Sequence, residues 1–292
     1  MVPRPPTDID RPRPRGVTCS NTDDEVPLRA YPPQRLICLT EETVETLYLL
    51  GEERRIVGVS GYTVRPARAR REKPRVSAFT SADLPKILEL KPDLVLAFSD
   101  MQAAIVGDLG RAGLAVHLFN QRDIAGILAM IRTLGALVGA GERAEAMARG
   151  HELRLARIAA ERSRRRRPRV YFEEWDEPMI SGIGWVSQLI EIAGGTDVFA
   201  HLRGRASAKE RVVTSEAVVA AAPDLILASW CGKKVAPRKI MSRPGWDRIP
   251  AVRDGRIVEI KSPLILQPGP AALTDGLDAM IDAIDQAHDA SK

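Results

Sequence analysis

The sequence predicts an α/β protein of two Rossmann-like lobes joined by a long α-helix, with a ligand cleft between the lobes. Three observations predict it. From Arg35 onward, short apolar runs alternate with segments of helical periodicity. The run LPKILELKPDLVLAFS (84–99) is echoed by SEAVVAAAPDLILASW (215–230), so a helix, a Pro-Asp-Leu turn and an apolar strand occur twice. Between the echoes, residues 142–163 are rich in Ala, Arg, Glu and Leu and contain no Pro, which suits one helix about 30 Å long.

The elements follow in order. Residues 1–34, rich in Pro, Arg and Asp, read as a disordered or loosely docked tail. RLICLT is a short strand, and residues 41–50 place Val44, Leu47 and Tyr48 at helical spacing before Gly51 closes the helix. RRIVGVS is a second strand, followed by the loop GYTVRPARARREKPRV. Ser81 or Asp83 caps the next helix, and Pro92 turns the chain into the strand LVLAF. Residues 103–112 form a helix and LAVHLFN a strand, completing an N-terminal lobe over 35–121. Asp123 caps a helix to about Val138, with Ile127, Leu128, Ile131 and Leu134 as its apolar stripe. Gly139-Ala140-Gly141 breaks it before the long helix, so residues 122–167 connect the lobes. After Pro168 the alternation restarts with RVYFEEW, SQLIEIAGG, the second Pro-Asp-Leu unit, GRIVEI and a final helix over 271–287. Residues 168–292 form the C-terminal lobe.

Composition excludes several classes. With 292 residues, 45% of them apolar, the chain is long enough for two cores and too apolar to be disordered throughout. Three Cys exclude a disulfide scaffold and are read as reduced thiols. The longest apolar stretch, 125–141, carries Arg132 and several Gly and reads as a core helix rather than a membrane span. The N-terminus shows no apolar signal core, and no apolar run precedes Cys19. Cytoplasm is the expected compartment, or the periplasm if the true start lies elsewhere. The net charge of +5 is concentrated in Arg65–Arg71 and Arg162–Arg167. The second cluster reads as a solvated helix end, since no aromatic interleaving accompanies it, and nucleic acid is not an expected partner. Neither a CxxC nor an HxxxH spacing occurs, and both nucleotide glycine loops are absent, so no metal site and no catalytic cofactor are expected. Glu173 and Glu174 fall on opposite faces of their strand and do not form a catalytic pair.

SGIGWVSQLIEIAGG and PGWDRIPAVRDGRIVEI, together with the two Pro-Asp-Leu units, carry a resemblance over residues 35–288. The chain resembles the helical-backbone substrate-binding proteins of ABC importers, within the iron-siderophore and cobalamin family, and is most similar to its cobalamin-binding branch. The resemblance implies non-catalytic binding of cobalamin or a related corrinoid, little hinge motion, a monomer, and an ABC permease as partner. The family docks on its permease with one Glu per lobe. Glu216 matches in the second lobe, whereas Pro85 occupies the corresponding first-lobe position and Glu89 lies one turn later.

Candidate ligand contacts follow from strand ends and from the resemblance. Tyr62, in the GYTVRP loop after a parallel strand, matches a loop that gives the family an aromatic for the corrin face, and Phe79 has a similar place. Trp175 and Trp185 sit at the strand end and at the strand–helix turn of the second lobe. Gly182 and Gly184 leave room there for a large ligand, beside a helix N-terminus that accepts polar groups. Each of these aromatics is otherwise a packing residue of its own lobe. Trp230 and Cys231 end the strand after the second Pro-Asp-Leu. Cys231 is either a soft ligand for cobalt or a small half-buried filler. Gln267 lies on a loop that borders the cleft in the family, and Trp246 is read as structural. Two alternatives remain. Arg65, with Arg68, Arg203 and Arg205, suits an anionic ferric siderophore on the same scaffold. A cytoplasmic tetrapyrrole enzyme or chelatase-like protein would use Cys231.

Overall fold

The computed structural model describes residues 31–289, so most of the expected tail lies outside the described residues. The first lobe runs β1 (Leu36–Cys38), α1 (Glu41–Leu49), β2 (Ile56–Ser60), α2 (Ala69–Glu72), β3 (Arg75–Ser77), α3 (Leu84–Glu89), β4 (Leu94–Phe98), α4 (Ala103–Arg111) and β5 (Val116–Phe119). Its five strands are all parallel, in the order β3-β2-β1-β4-β5. The order reverses between β1 and β4, and a doubly wound sheet opens its ligand crevice beyond the strand ends at such a reversal.

Two antiparallel-neighbour helices follow, α5 (Ile124–Leu137) and α6 (Gly141–Arg162). The second lobe contains β6 (Arg169–Asp176), β7 (Met179–Ser181), α7 (Gly184–Ile192), β8 (Thr196–Asp197), α8 (Ser215–Ala221), β9 (Leu225–Ala228), α9 (Pro237–Met241), α10 (Pro250–Arg253) and β10 (Ile257–Glu259). Its sheet has the order β10-β9-β6-β7, with β8 also paired to β6. Finally come α11 (Ser262–Ile265), a π-helical turn (Ala272–Gly276) and α12 (Leu277–Asp289). No helix among the described residues is long and apolar enough to cross a membrane.

The caps read from the sequence are present. Asp83 accepts from the Lys86 N–H, and Asp123 from the Gly126 N–H. Three short strands, β3, β7 and β8, were not expected, because two or three residues carry no measurable alternation. The loop after Gly61 therefore holds both α2 and β3.

The Pro-Asp-Leu echo has a shared structural cause. Asp93 accepts the backbone N–H of Arg35 at 2.9 Å, and Asp224 accepts that of Arg169 at 2.8 Å. The Arg35 side chain donates to the Leu90 carbonyl, and the Arg169 side chain to the Ala221 carbonyl. In each lobe one Asp and one Arg tie the first strand to the helix–strand turn beside it, satisfying backbone groups that neither element pairs internally.

One apolar core runs through both lobes. It joins Leu36, Leu47 and Leu96 of the first lobe to Ile131 and Leu134 of α5, Leu155 and Ile158 of α6, Phe172 and Leu189 of the second lobe, and Leu277 and Ile284 of the C-terminal segment. Smaller clusters cover the outer face of each sheet. The chain after β10 is not confined to the second lobe, because the Gln121 amide donates to Pro268 and Glu45 accepts the Ala271 N–H.

The basic run at the end of α6 is exposed over residues 164–167, as a solvated helix end would be, and is buried at Arg162. Arg162 is buried and donates to Ala193 and Asp285. Arg165 also reaches Asp285, and Arg167 donates to the carbonyls of Glu191 and Gly195. Arg162 and Arg167 thereby satisfy carbonyls at the C-terminal end of α7, where cations are favoured.

The helices α5 and α6 pack at a glycine. A Cβ built on Gly135 would lie 2.1 Å from the Ala144 Cβ, so the two backbones approach more closely than any larger residue allows. Gly135→Val is expected to lower the unfolding free energy by about 1–3 kcal/mol or more, as overpacking does. Urea denaturation followed by circular dichroism measures the change.

Candidate functional site

A cavity of about 370 Å³ lies where the two lobes meet. From the first lobe it is lined by Leu39, Thr40 and Glu41 at the end of β1, by Ser60 and Tyr62 after β2, and by Phe79 and Phe98. Cys231 and Gly232 after β9, with Ser262, Leu266 and Gln267 after β10, close it from the other side. The strand ends at the β1/β4 reversal thus supply one wall, as the doubly wound topology requires. A wider groove of about 620 Å³ lies elsewhere, along α5, α6 and α7. It is lined by Glu152, Ser163, Arg167, Gln188 and Glu191 among apolar helix residues, and no strand end contributes to it.

Four of the residues singled out in the sequence come together here: Tyr62, Phe79, Cys231 and Gln267. Tyr62 is exposed, so its ring is available to a ligand. Among the described residues no Arg, Lys or His lines this cavity, whereas Lys233, Lys234 and Lys261 line an adjoining pocket that shares Gly232, Ser262 and Pro263 with it.

The other candidates sit elsewhere. Trp185 is 3% exposed, and its indole N–H donates to the Ile265 carbonyl at 2.8 Å within the shared core. Trp230 is equally buried and donates to Glu173 at 3.1 Å. Trp175 packs against the same outer cluster, donates to the Glu177 carbonyl and carries the Lys233 ammonium over its ring. The pairing of β6 with β7 shifts register between Glu173 and Trp175. Arg65 does not line the cavity, because it is held by Glu45 at 3.0 Å and Asp275 at 2.8 Å. Glu216 is exposed in the first turn of α8, remote from the cavity lining. Trp246 is fully buried and donates to Ser215.

The glycines near Trp185 make room for protein rather than for a ligand. A Cβ on Gly184 would meet the Arg122 carbonyl at 2.3 Å, and one on Gly182 would press on Val186 and Phe172. The N-terminus of α7 is also occupied, since Glu174 accepts the Ile183 N–H at 3.0 Å. Glu173 and Glu174 do face opposite ways. Glu173 is fully buried and receives Arg243, Trp230 and Tyr171, whereas Glu174 receives the two guanidinium nitrogens of Arg211.

Glu41, Thr40, Ser60 and Phe98 line the cavity without having been singled out in the sequence. The available signal was positional: all stand at or just beyond the C-terminal ends of parallel strands. Glu41 opens α1, where a carboxylate is ordinarily favoured by the helix dipole. Burial overrides that preference. Desolvation, followed by the neighbouring Glu42 charge, pushes the Glu41 carboxyl up to about 8. Glu42 is fully buried and is pushed up to about 7, again mainly by desolvation, although the Thr40 hydroxyl donates to it at 2.5 Å. The Cys231 thiol is raised by burial and by the charges of Glu174 and Glu41. Cys38 is pushed up to about 12 by complete burial.

The raised carboxyls link stability to pH. Both groups bind protons more tightly in the folded chain than in the unfolded one, where the ordinary value is 4.5. Their contribution is complete below that value and is lost as pH rises through 7 to 8. Unfolding free energy is expected to fall across this window. The decline is expected to be shallower in Glu42→Gln, as chemical denaturation at a series of pH values would record.

The chain is similar to known proteins in sequence and in fold. The pattern of the periplasmic binding protein family matches residues 36–264. A protein of Halobacterium salinarum named cobalamin-binding protein is 26% identical over 285 residues, covering 92% of this chain and 75% of its own. The vitamin B12-binding protein BtuF of Vibrio cholerae superimposes with a TM-score of 0.69 at 21% identity, over 88% of this chain and 98% of its own. The heme-binding protein RhuT of Roseiflexus sp. RS-1 gives 0.71 at 23% identity, over 86% and 99%. At these identities the two structures show a common two-lobed fold.

Proposed function

The chain belongs to the periplasmic binding protein family, and from that premise we propose that it binds a corrinoid, cobalamin or a close relative, between its lobes without transforming it. The observation that carries the reading is the character of the cavity wall. It combines aromatic and apolar surface from Tyr62, Phe79, Phe98 and Leu266 with hydroxyl, amide and carboxyl groups, and no cationic side chain among the described residues belongs to it. Such a wall suits a flat, largely apolar ring bearing neutral amide arms. An anionic siderophore or a heme carboxylate held there would meet a counter-charge only beyond this wall, in the adjoining pocket lined by Lys233, Lys234 and Lys261. The arginines that were candidates for that role already face protein carboxylates: Arg65 pairs with Glu45 and Asp275, Arg68 with Glu53, and Arg203 with Glu191.

The cavity volume is near the lower end of the ~300–1,000 Å³ usual for ligand pockets. On this reading it grips one edge of the macrocycle, and the remainder lies at the mouth formed by Tyr62 and the Cys231-Gly232 turn. Glu216, exposed on the outer face of the second lobe, is the carboxylate we assign to permease docking. Glu89, exposed at the end of α3, is its first-lobe counterpart.

Titration of the purified protein with cyanocobalamin, followed by calorimetry and visible absorbance, is expected to show one saturable site. Tyr62→Ala and Phe79→Ala are each expected to weaken it about tenfold, which corresponds to about 1.4 kcal/mol. Saturable binding of hemin or a ferric hydroxamate, with none of cyanocobalamin or cobinamide, would overturn the reading.

Cys231 also reports occupancy. Iodoacetamide followed by peptide mass mapping is expected to modify the exposed Cys231 and leave the buried Cys38 unmodified. Ligand is expected to slow the Cys231 reaction. An unchanged rate at saturation would remove Cys231 from the site.

A further inference from the structure

Resting on the corrinoid reading, we infer that the lysine-lined pocket beside the cavity is an anion subsite that receives the phosphodiester of a corrinoid's nucleotide loop. It makes the site selective for a complete corrinoid over one that lacks that loop. The pocket has a volume of about 350 Å³ and is lined by Lys233, Lys234, Lys261 and Glu259. It shares Gly232, Ser262 and Pro263 with the cavity, so the two spaces adjoin along one rim. Gly232 stands on that rim with φ +75°, and a Cβ built on it would meet no atom within 4 Å. The backbone turns there without a side chain, and no protein packs against that side of it.

The lining keeps positive charge that the chain does not neutralise. The Lys233 ammonium reaches Asp176 at 2.5 Å, but Asp176 also receives Lys239 at 2.7 Å. The side chains of Lys234 and Lys261 are exposed and form no ion pair or hydrogen bond among the described residues. Glu259 is the carboxylate of the lining, and its Oε1 accepts the Val235 N–H at 3.3 Å. Even with Glu177, which reaches Lys239 at 3.4 Å, the carboxylates Asp176 and Glu259 leave the ammonium groups of Lys233, Lys234, Lys239 and Lys261 in excess. A concave pocket concentrates that excess beside the ligand cavity, where a convex face would disperse it.

The two linings together define the ligand chemistry. The cavity offers aromatic and apolar surface, and cationic side chains begin only beyond Gly232. The complementary ligand is an apolar ring with an anionic arm that leaves it at one edge. The part of the macrocycle that emerges at the Cys231-Gly232 turn meets these lysines next. A nucleotide loop is such an arm, because its phosphodiester is ionised at neutral pH. An ammonium on a flexible stem meets phosphate oxygens as a point charge with rotatable donors, which suits a mobile arm. The Ser262 hydroxyl on the shared rim is a further donor.

The test compares cyanocobalamin with dicyanocobinamide, which has the same ring and no phosphodiester, on the full chain and on the double variant Lys234→Gln, Lys261→Gln. Lys233 is left in place because its ammonium also lies over the Trp175 and Trp230 rings. Wild type is expected to bind cyanocobalamin about tenfold more tightly than dicyanocobinamide, as a charge-assisted contact provides. The double variant is expected to lose about tenfold for cyanocobalamin and to bind dicyanocobinamide within about twofold of wild type. Raising NaCl from about 0.05 M to about 0.5 M is expected to weaken cyanocobalamin binding several-fold in wild type and not in the double variant. Equal wild-type affinity for the two corrinoids, or a preference that the double variant leaves unchanged, overturns the subsite and leaves the corrinoid reading standing. Saturable binding of hemin with neither corrinoid overturns the corrinoid reading and the phosphodiester with it. The pocket then remains an anion subsite, for carboxylates, only if the double variant weakens hemin binding about tenfold. If none of the three binds, both readings fall.

Discussion

The seam between α1 and the segment 268–276 holds the two lobes in a fixed relation. Glu45 receives the Ala271 N–H and the Arg65 guanidinium, and Arg65 continues to Asp275. Gly269 lies against Glu42 so closely that a Cβ would fall 2.6 Å from the Glu42 Cβ. Gln121 completes the seam through the Pro268 carbonyl. Because the apolar core also runs unbroken from β1 through α5 and α6 to α12, the lobes share one interior. The cavity therefore lies between lobes that share one packed core.

That seam has an electrostatic consequence. It buries three carboxyls of one helix turn, and all three titrate above their ordinary value because burial disfavours the charged form. Glu45 is compensated by Arg65 and a backbone N–H, whereas Glu41 and Glu42 each keep an unpartnered oxygen. Sites that retain such uncompensated groups commonly sacrifice stability for function. In this chain Glu41 is part of the cavity lining, next to the strand ends where a doubly wound sheet binds its ligand, while its unpartnered oxygen is buried behind that surface.

The two walls differ in chemistry. The first lobe supplies Tyr62, Phe79 and Phe98, and the second supplies the compact Cys231-Gly232 turn with Ser262 and Gln267. The second lobe keeps its tryptophans for itself. Glu173, buried in the middle of β6, needs donors, and Trp230, Tyr171 and Arg243 provide them. An indole N–H recruited to a buried carboxylate cannot also face a cleft, and that requirement draws Trp230 inward while its neighbour Cys231 remains at the surface.

Much of this was legible in the residues. The strand–helix alternation, the Asp83 and Asp123 caps and the two Pro-Asp-Leu turns follow from local rules of periodicity and hydrogen bonding, so they need no tertiary information. The positions of Tyr62, Phe79, Cys231 and Gln267 near strand ends were readable for the same reason. What the sequence alone determined is which residues stand at the ends of strands. Only the tertiary structure decided which of them face the cleft. Burial depends on what packs opposite: Ile265 opposite Trp185, Glu173 opposite Trp230, Glu45 and Asp275 opposite Arg65. The same dependence made Glu41 visible only once the lobes were assembled, because an acidic helix start looks ordinary until its solvent is removed.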